Sequence, residues 1–430
     1  MNRFTQNRPT AASVIVFLLP ALALTTSFGL MLVQVLMLLA VVWRWNKGAF
    51  AILRENFRTL SWFLAGFVGY FLVSLLRVLI MHHDGKLMDR PSRFLIALSC
   101  IAFITYFKPP IRWFWKGLCA GAIAVGVLAL VQRFGLHIDR VEGFTHHAIT
   151  FGDLALAMGL MAFCASSHFR GTRWASLPLI ALLAGIAASL LSGSRGGWIA
   201  LLFVIVPIIR YGREWHGKLI LYGYLLALLL VGVVIVVPET GVADRIGLAV
   251  AEVHAYTDKG DATTSTGIRL ELWKASWLMF VEHPMLGVGR DQFVPALHAL
   301  AAQNRIQQSP ALAFASSHSD TLFFLATGGL LDFSFLLLIY LGPLAVFLSV
   351  LKKNPHSTVV PLSDDVSGKR AAALAGILLV ISYIAFGLTD VMFWLMMPTA
   401  FYVIMVCALL GFCLQVNAPV GARCDSNGVA

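Results

Sequence analysis

Charged residues are scarce in this sequence. Asp, Glu, Lys and Arg together make up 12% of the 430 residues, whereas hydrophobic residues make up 59%. A typical soluble domain has about twice that share of charged residues. The mean hydropathy of +0.82 also lies far outside the average for soluble domains. This composition excludes an ordinary soluble globular protein and indicates a chain that is largely buried in lipid.

The sequence also lacks the residue patterns of disulfide frameworks and metal sites. Its six cysteines fall within apolar runs or in the C-terminal tail, and no two of them share a long polar loop. No Asp-x-Asp pair, which often holds a divalent ion, occurs in a segment predicted to be external. The adjacent Asp364 and Asp365 fall in a predicted cytoplasmic loop. We therefore predict no disulfide, no metal ion and no other cofactor.

Long apolar runs recur along the whole chain. A helix needs roughly 20 mostly apolar residues to cross a bilayer, and only helices or closed barrels satisfy their backbone hydrogen bonds there. We predict an all-α polytopic membrane protein of about twelve transmembrane helices, which form a single domain over residues 1–430. The first run is predicted to be retained, because no convincing signal-peptide cleavage site separates it from the second. The runs lie at about residues 12–27, 29–43, 61–81, 93–107, 117–134, 150–167, 175–191, 197–210, 219–237, 320–351, 371–389 and 394–415.

Basic residues collect in alternate segments between these runs. Cytoplasmic loops of membrane proteins carry an excess of Lys and Arg, which also meet anionic lipid headgroups. A cytoplasmic N-terminus places these basic clusters, and both termini, on the cytoplasmic side. Lipid and topology account in part for the net charge of +11, and we predict no nucleic-acid partner. The clusters are Arg44, Lys47, Arg54 and Arg58; Lys108, Arg112 and Lys116; Arg170 and Arg173; Arg210, Arg213 and Lys218; and Lys352, Lys353, Lys369 and Arg370.

One long segment, residues 238–319, falls on the external side between the ninth and tenth predicted spans. Long loops are translocated regardless of their charge, so its basic residues do not contradict the topology. Its middle, Ile268 to His283, repeats apolar residues at helical spacing and predicts an amphipathic helix on the membrane surface or against the bundle. The following HPMLGVGRDQF contains a Pro and two Gly, which indicate a turn. We predict a large, partly helical periplasmic loop that caps a cavity.

A short connection, SGSRGGW at Ser192 to Trp198, joins two apolar runs on the same external side. Its glycines surround one arginine, Arg195. Small residues let the backbone approach a ligand, and broken helix ends direct N–H groups at anions. The same pattern fits an inter-helix turn whose arginine reaches lipid phosphates. The spacing alone leaves both interpretations open.

Three residues stand where an external polar loop meets an apolar run: Arg195, Arg269 in TSTGIRLELWKAS and His318 in SSHSDTLFFLATGG. A guanidinium stays charged and donates paired hydrogen bonds to phosphate oxygens, so two arginines suit a diphosphate. A histidine near neutral pH accepts a proton and can act as a general base. Simpler roles are also open, because Arg269 could contact a lipid phosphate and His318 could cap the following span.

Four motifs occur in order along the chain: SGSRGGW, a Ser/Thr-rich lead into Arg269 on a Trp-containing helix, HPMLGVG, and HSDTLFFLATGG. With about twelve spans and a large loop before the third-last one, the chain resembles the O-antigen ligase family. That superfamily also holds O-antigen polymerases and bacterial protein O-oligosaccharyltransferases. The segment RVEGFTHHAITFGD, Arg140 to Asp153, is similar to a further family motif, although Ala148 stands where the family often has Pro.

The resemblance implies a reaction and the residues that perform it. The donor would be a polysaccharide linked to undecaprenyl diphosphate, and the acceptor a sugar hydroxyl of the lipid A-core oligosaccharide. The enzyme would act at the periplasmic face of the bacterial inner membrane. His318 would be the catalytic base, and Arg195 and Arg269 would stabilise the leaving diphosphate, with inversion at the anomeric carbon. Since no external Asp-x-Asp pair is present, we predict a metal-independent glycosyltransferase.

Four further residues are candidates for substrate binding. Asp153 and Asp390 are acids close to the external membrane surface, where ionisable groups are costly enough to suggest a function. Either could orient His318 or bind sugar hydroxyls. Arg290 and His147 could line the same cavity or make simple loop contacts.

Other functions remain open at the level of sequence. A polymerase often carries an Arg-x10-Gly pattern in its external loops, and the large loop contains none. A protein O-oligosaccharyltransferase commonly adds a soluble C-terminal domain, whereas the tail after the last run is short. A transporter of lipid-linked saccharides should carry charges deep within several spans, but the basic residues mostly mark the loops, with Arg77 the nearest exception. No convincing internal repeat supports a transporter either.

Overall fold

The computed structural model describes residues 10–45, 48–81, 85–194, 196–211, 242–354 and 364–415, together with the single residues Leu225 and Gly232. Every regular element in these ranges is a helix, and none of them contains a strand. The predicted all-α class is therefore confirmed for the part of the chain that the structure describes.

The α-helices are numbered in chain order, and short 3-10 or π segments interrupt the series at residues 85–88, 131–135, 196–198 and 310–313. The α-helices are α1 (Ala11–Ala21), α2 (Gly29–Trp43), α3 (Ala51–Glu55), α4 (Phe57–Met81), α5 (Pro91–Phe107), α6 (Ile111–Leu130), α7 (Ala148–Phe163), α8 (Ser166–Phe169), α9 (Leu177–Ser192), α10 (Ile199–Tyr211), α11 (Val242–Lys259), α12 (Ser265–Glu282), α13 (Phe293–Ala302), α14 (Asp320–Lys353), α15 (Asp364–Phe386) and α16 (Met396–Leu414).

Five of these helices, α4, α6, α14, α15 and α16, are long and apolar enough to cross a membrane. Shorter apolar helices include α1, α2, α7, α9 and α13, and an apolar helical stretch at Gly196–Tyr211. Each apolar run expected from the sequence coincides with a helix, except the run at about residues 219–237, which lies outside the described residues. The total of about twelve spans thus stays a prediction, whereas the membrane class agrees with the structure.

The two last helices, α15 and α16, form the centre of the bundle. The apolar windows of these two helices are 83% and 89% buried, compared with 22% for α4 at the rim. They pack against each other, while α14, α7 and α10 cover α15 and α5 covers α16. A helix with apolar residues on every side is stable only when other helices or lipid surround it. The sequence of α16 has that character, and the structure surrounds it with protein.

Helices α7 and α9 run antiparallel in close contact. A Cβ atom added to Gly185 would lie 2.5 Å from the carbonyl oxygen of Ala155, so glycine is needed for this approach. At one end of the pair, a Cβ atom added to Gly152 would lie 2.1 Å from Oγ of Ser192. The packing therefore brings the start of α7 against the end of α9, where the SGSRGGW turn begins.

The long segment between α10 and α14 is folded rather than extended. Glu271, fully buried on α12, accepts hydrogen bonds from Oη of Tyr256 at 2.5 Å and from the backbone N–H of Gln307 at 2.7 Å. These two contacts tie α11 and the segment after α13 to α12, which itself packs on α14. A helix is present where the sequence predicted one at Ile268 to His283, as α12, and it lies against the bundle. Its amphipathic character is not confirmed, because Glu271 and Ser276 are buried whereas Trp277 is exposed.

Helix α14 is kinked at Gly329, which has a φ of +62°. A kink frees backbone groups from the helical hydrogen-bond pattern. The HPMLGVG segment pairs with several of these groups, and a Cβ atom added to its Gly287 would lie 2.3 Å from the backbone nitrogen of Gly328. The turn predicted for HPMLGVG is thus docked on the kink of the next long helix. The backbone bonds run from Val288 N–H to Ala326 O, from Gly289 N–H to Thr327 O and from Leu330 N–H to Pro284 O, at 2.9, 2.9 and 2.8 Å.

Candidate functional site

His318 and Asp390 form an ion-pair contact between two distant parts of the chain. Nδ1 of His318 lies 3.3 Å from Oδ1 of Asp390. The His318 side chain is 19% exposed, whereas the Asp390 side chain is 2% exposed. His318 ends the large loop just before α14, and Asp390 lies in the connection between α15 and α16. The structure therefore brings these two predicted site residues together, and the His318 side chain remains partly exposed.

The backbone around His318 is held in an unusual conformation. His318 has a φ of +51°, in the left-handed region that few residues other than glycine adopt. On one side, the indole N–H of Trp273 donates a 3.0 Å hydrogen bond to the carbonyl oxygen of Ser317. On the other side, the edge of the Phe314 ring faces the imidazole at a centroid distance of 5.3 Å. Strained backbone of this kind persists only when its surroundings fix it, and it often occurs at functional sites.

Asp320 fixes the start of α14 against the α15–α16 connection. Its backbone N–H donates a 2.8 Å hydrogen bond to the carbonyl oxygen of Gly387. Its carboxylate accepts hydrogen bonds from the backbone N–H of Phe393 and from Oη of Tyr340, both at 3.2 Å. The structure shows that this buried acid locks together the two segments that carry His318 and Asp390.

The electrostatic surroundings keep Asp390 ionised. Burial raises the pKa of Asp390, but the hydrogen bonds from His318 and from the backbone N–H of Val391, with the nearby charges of His318 and His147, lower it below its ordinary value. An ionised carboxylate accepts a hydrogen bond from the Nδ1–H group of the imidazole. In this tautomer Nε2 carries a lone pair. The arrangement therefore prepares Nε2 of His318 to accept a proton.

His147 lies close enough to Asp390 to affect its charge, although it also has a structural task. Its ring nitrogen Nδ1 accepts a hydrogen bond from the backbone N–H of Thr150, at 3.4 Å, and thereby caps the N-terminus of α7. The remainder of this exposed side chain faces outward. His147 is thus a helix cap that lies on the same side of the molecule as Asp390 and His318.

Asp153 contacts the SGSRGGW turn directly. The hydroxyl of Ser194 donates a 2.7 Å hydrogen bond to Oδ1 of Asp153, which is completely buried. The same oxygen would lie 2.3 Å from a Cβ atom on Gly197, so only glycine fits there. The second carboxylate oxygen, Oδ2, is buried and has no hydrogen-bond partner within the described ranges. Asp153 therefore supports the turn, and we find no geometry that exposes it to a large ligand.

The other side of the SGSRGGW turn rests on the α15–α16 connection. A Cβ atom added to Gly196 would lie 2.1 Å from Oγ1 of Thr389, the residue before Asp390. Nε of Arg140, from the RVEGFTHHAITFGD motif, donates a 3.3 Å hydrogen bond to the carbonyl oxygen of Ser192. Arg195 itself lies outside the described residues. Both of its sequence neighbours nevertheless contact the segments that carry Asp153 and Asp390.

Arg269 lies in the first part of α12, one helical turn before Trp273. Residues four apart share a helix face, so Arg269 is on the side of α12 whose Trp273 contacts the backbone next to His318. The side chain is half-buried. Among the residues that the structure describes, none accepts a hydrogen bond from Arg269 or pairs with it. A partly buried cation with no protein partner is suited to an anionic ligand.

Arg290 is separate from this cluster. Its guanidinium lies over the rings of Tyr70 and Phe324, with centroid distances of 5.2 and 5.1 Å. Nη2 is 3.8 Å from Oδ2 of Asp332, which also receives a 2.7 Å hydrogen bond from Arg77. Arg290 therefore does not lie with the predicted substrate-binding residues around His318. It belongs to a second group of side chains, with Arg77 from the last turns of α4 and Asp332 from α14.

Sequence reasoning did not find Ser194, Trp273 or Asp320 as parts of the site. Each lies within a motif that was singled out, so proximity to Arg195, Arg269 and His318 was the only signal available. No group of three or more His, Cys, Asp or Glu side chains is arranged around a possible metal ion in the described part of the chain. Metal independence remains a prediction.

The fold and the cluster define a helical membrane protein with a polar site, built around a His–Asp pair, at one end of its bundle. Residues 179–337 match the family model described as O-antigen ligase. This match includes SGSRGGW, Arg269, HPMLGVG and His318. The resemblance to the O-antigen ligase family seen in the sequence is therefore confirmed over residues 179–337.

A protein of Haemophilus influenzae (strain ATCC 51907 / DSM 11121 / KW20 / Rd) is similar to this chain. The two are 27% identical over 296 residues, which cover 68% of this chain and 73% of the relative. The relative is described only as an uncharacterized protein, so it adds no information on the reaction.

Proposed function

We propose that this protein is an O-antigen ligase. It transfers a polysaccharide from undecaprenyl diphosphate to a sugar hydroxyl of lipid A-core at the periplasmic face of the bacterial inner membrane. The observation that supports this most directly is the contact of His318 with Asp390 beside the SGSRGGW turn. His318 and the turn lie within residues 179–337, which match the O-antigen ligase family model.

The proposed reaction is a single displacement. Nε2 of His318 takes the proton of the acceptor hydroxyl, and the acceptor oxygen forms a bond to the anomeric carbon of the donor sugar. The bond between that carbon and the diphosphate oxygen breaks, and the diphosphate leaves with the electron pair. Attack from the opposite face inverts the anomeric centre. Asp390 holds the Nδ1 proton and stabilises the imidazolium that forms, as a positioning residue.

The two arginines stabilise the leaving group in this proposal. Negative charge grows on the diphosphate as the glycosidic bond breaks, and preorganised donors aimed at that charge lower the barrier. Arg269 has no protein partner in the described ranges, and the neighbours of Arg195 pack on Asp153 and Thr389. Such donors are worth about 3 to 4 kcal/mol each, so losing one should reduce turnover by about 100- to 1,000-fold.

Two features of the bundle support the periplasmic side. The SGSRGGW turn packs on Thr389, His318 contacts Asp390, and His147 is close enough to lower the pKa of Asp390, so all lie at one end. At the opposite end, the guanidinium of Arg370 donates to the carbonyl oxygen of Leu351 at 3.2 Å, so the end of α14 and the start of α15 meet there. That end also carries Lys352, Lys353 and Lys369. Basic residues mark the cytoplasmic side, which supports a periplasmic site.

A polymerase or a protein O-oligosaccharyltransferase of the same superfamily would use the same chemistry with a different acceptor. Purified protein in liposomes, supplied with undecaprenyl-diphosphate-linked polysaccharide and one acceptor at a time, separates these functions. Ligated product with lipid A-core alone supports a ligase. Longer lipid-linked donor indicates a polymerase, a glycosylated protein indicates the oligosaccharyltransferase, and no covalent product with any acceptor overturns the proposal in favour of transport.

The same assay tests the role of His318 as the base and the predicted metal independence. His318→Ala should abolish product, whereas His298→Ala, on the exposed face of α13, should leave it unchanged. Product formation is expected to persist in EDTA. Wild-type ligation by His318→Ala at equal protein level would remove the base from the mechanism, and full loss of activity in EDTA would show that a metal takes part.

A further inference from the structure

A cavity of about 330 Å³ lies away from the site formed by His318, Asp390 and Asp153. It is enclosed by the last turns of α4, the segment around residues 87–91 and the end of the HPMLGVGRDQF segment. None of its lining residues belongs to the group around His318, Asp390 and Asp153. The mechanism proposed above makes no use of this space.

Two arginines, Arg77 and Arg290, line the cavity and share one carboxylate behind it. Asp332 receives the 2.7 Å hydrogen bond from Arg77, so Arg290 is left with a contact of 3.8 Å. Nη2 of Arg290 is buried and makes no hydrogen bond within the described ranges. A buried donor without an acceptor destabilises the protein unless a ligand or water meets it.

The position of Arg290 is fixed independently of any ligand. Its guanidinium lies over the rings of Tyr70 and Phe324, at centroid distances of 5.2 and 5.1 Å. Arg77 additionally donates a 3.3 Å hydrogen bond to the carbonyl oxygen of Gly328 at the kink of α14. That contact explains Arg77 as a structural residue. It does not explain the cavity or the unused donor of Arg290.

The cavity lies at the level of lipid headgroups. Arg77 is four residues before the end of α4, which corresponds to about 6 Å along the helix axis. Helix α4 is the least buried of the five long apolar helices, so its surroundings are largely lipid. At the mouth, Leu286 lines the cavity and is 54% exposed, and the adjacent Met285 is 65% exposed. Large apolar side chains therefore face outward beside the buried guanidinium.

The remaining polar lining residues favour a head that carries hydroxyl groups. Asp291 and Gln292 line the cavity with Ser74. A carboxylate repels an anion but accepts hydrogen bonds from hydroxyls, so Asp291 suits the part of a headgroup next to its phosphate. A guanidinium is the preferred partner of a phosphate. The lining thus combines a guanidinium that can bind a phosphate, polar side chains that can bind hydroxyl groups, and an apolar rim that can contact lipid chains.

We propose that this cavity binds the phosphate of a lipid whose head also carries hydroxyl groups, with the lipid chains passing over Leu286 along the rim of the bundle. The binding itself does not depend on the proposed function. Two sources share this chemistry, a phosphorylated glycolipid such as the lipid A acceptor and an acidic phospholipid such as phosphatidylglycerol.

Native mass spectrometry of the purified full chain in detergent tests this binding. The probes are lipid A, phosphatidylglycerol, undecaprenyl phosphate and the zwitterionic phosphatidylcholine. We expect lipid A or phosphatidylglycerol to bind at least tenfold more tightly than the other two. Preference for lipid A assigns the site to the acceptor, and preference for phosphatidylglycerol assigns it to the surrounding membrane. Equal binding of all four lipids, or none, overturns the proposal.

Two variants locate the binding. Arg290→Gln removes the charge, and Val78→Trp fills the cavity without changing any charge. Each should reduce binding of the preferred lipid by at least tenfold, whereas Arg305→Gln, at a half-exposed ion pair with Glu282, should not. If one variant fails to fold, the other decides. Unchanged binding in a folded variant refutes the site. Because binding is measured without turnover, its result stands whether or not the ligation assay supports the proposed reaction.

Discussion

The hydroxyl of Ser194 donates a 2.7 Å hydrogen bond to Oδ1 of Asp153, and this contact joins the SGSRGGW turn to the start of α7. Ser194 immediately precedes Arg195 in the chain. Since Asp153 is completely buried, the bond forms away from water, where an unsatisfied partner is most costly. The orientation of the turn that carries Arg195 therefore depends on this pair.

Asp153→Ala and Ser194→Ala should each lower ligation by about 10- to 100-fold, because removing one partner of a buried hydrogen bond leaves the other unsatisfied at a cost of about 1 to 3 kcal/mol. If both act through the same contact, the double variant should lose little more than either single one. Ligation rates at equal protein level provide the measurement. Asp139→Ala, at a side chain that is 97% exposed, is the control and should have no effect. Additive losses would show that the pair does not act as a unit.

Asp390→Asn should lower kcat by about 100- to 10,000-fold with a small change in KM. An amide that donates to Nδ1 would shift the imidazole proton to Nε2. Nε2 would then have no lone pair with which to take the proton of the acceptor hydroxyl. Asp390→Glu should recover part of the activity, since it restores the charge. Measurement of kcat and KM for both variants and the wild type checks this prediction. Equal activity of Asp390→Asn and wild type would exclude Asp390 as the positioning residue of His318.

The contribution of Asp390 to stability should depend on pH in one direction. Its pKa in the folded protein is lowered, so its stabilising effect is fully present above the ordinary Asp value of about 3.9 and is lost as the pH falls through the lowered pKa. Melting temperatures of wild type and Asp390→Asn should differ by a constant amount between about pH 5 and 6 and converge in stronger acid. A difference that grows as the pH falls below 4 would contradict the assignment.

Trp273→Phe should reduce turnover by about tenfold while stability falls by only about 1 kcal/mol. The variant keeps the ring but loses the indole N–H that holds the backbone beside His318 at 3.0 Å. Trp277→Phe is the matched control, because Trp277 lies one turn further along α12 and is 53% exposed. Turnover and thermal stability of both variants are compared. Equal turnover of the two would show that the Trp273 hydrogen bond does not position His318.

Gly287→Ala should destabilise the protein by about 1 to 3 kcal/mol. Its φ is +64°, and the added Cβ would lie 2.3 Å from the backbone nitrogen of Gly328. The HPMLGVG segment would then have to leave the kink of α14. Gly85→Ala, which meets no atom within 4 Å, should be neutral. Thermal unfolding in detergent gives the comparison, and equal stability of the two variants would refute the docking of HPMLGVG on the kink.

Local helical patterns could be predicted well from the sequence, because long apolar runs leave the backbone few alternatives in lipid. The predicted runs at about residues 93–107 and 394–415 coincide with α5 and α16. A helix predicted at Ile268 to His283 is also present, as α12, but its polar and apolar residues do not lie on separate faces. The pairing of HPMLGVG with the kink at Gly329 was not predictable, since each segment alone reads as a flexible turn or a continuous helix.

In the candidate site, too, the residue types could be predicted from the sequence, whereas most of the contacts between them could not. Arg195, Arg269 and His318 could be selected because polar residues at the ends of apolar runs are costly and carry recognisable chemistry. Asp390 and Asp153 were selected for the same reason, and the sequence allowed either of them to orient His318. In the structure, Asp390 contacts His318, whereas Asp153 contacts Ser194. Asp390 is 72 residues from His318, and Ser194 is 41 residues from Asp153. Contacts over such separations depend on how the helices pack.

By itself, the sequence determined that this protein is a helical membrane protein with polar motifs in a fixed order, because composition and periodicity act through local chemistry. Only the tertiary structure decided which of those motifs meet. It placed His318 on Asp390 and Ser194 on Asp153, and it placed Arg290 beside a different cavity. The physical reason is that helix packing is governed by close contacts of small residues between distant segments, and no single segment encodes its partner.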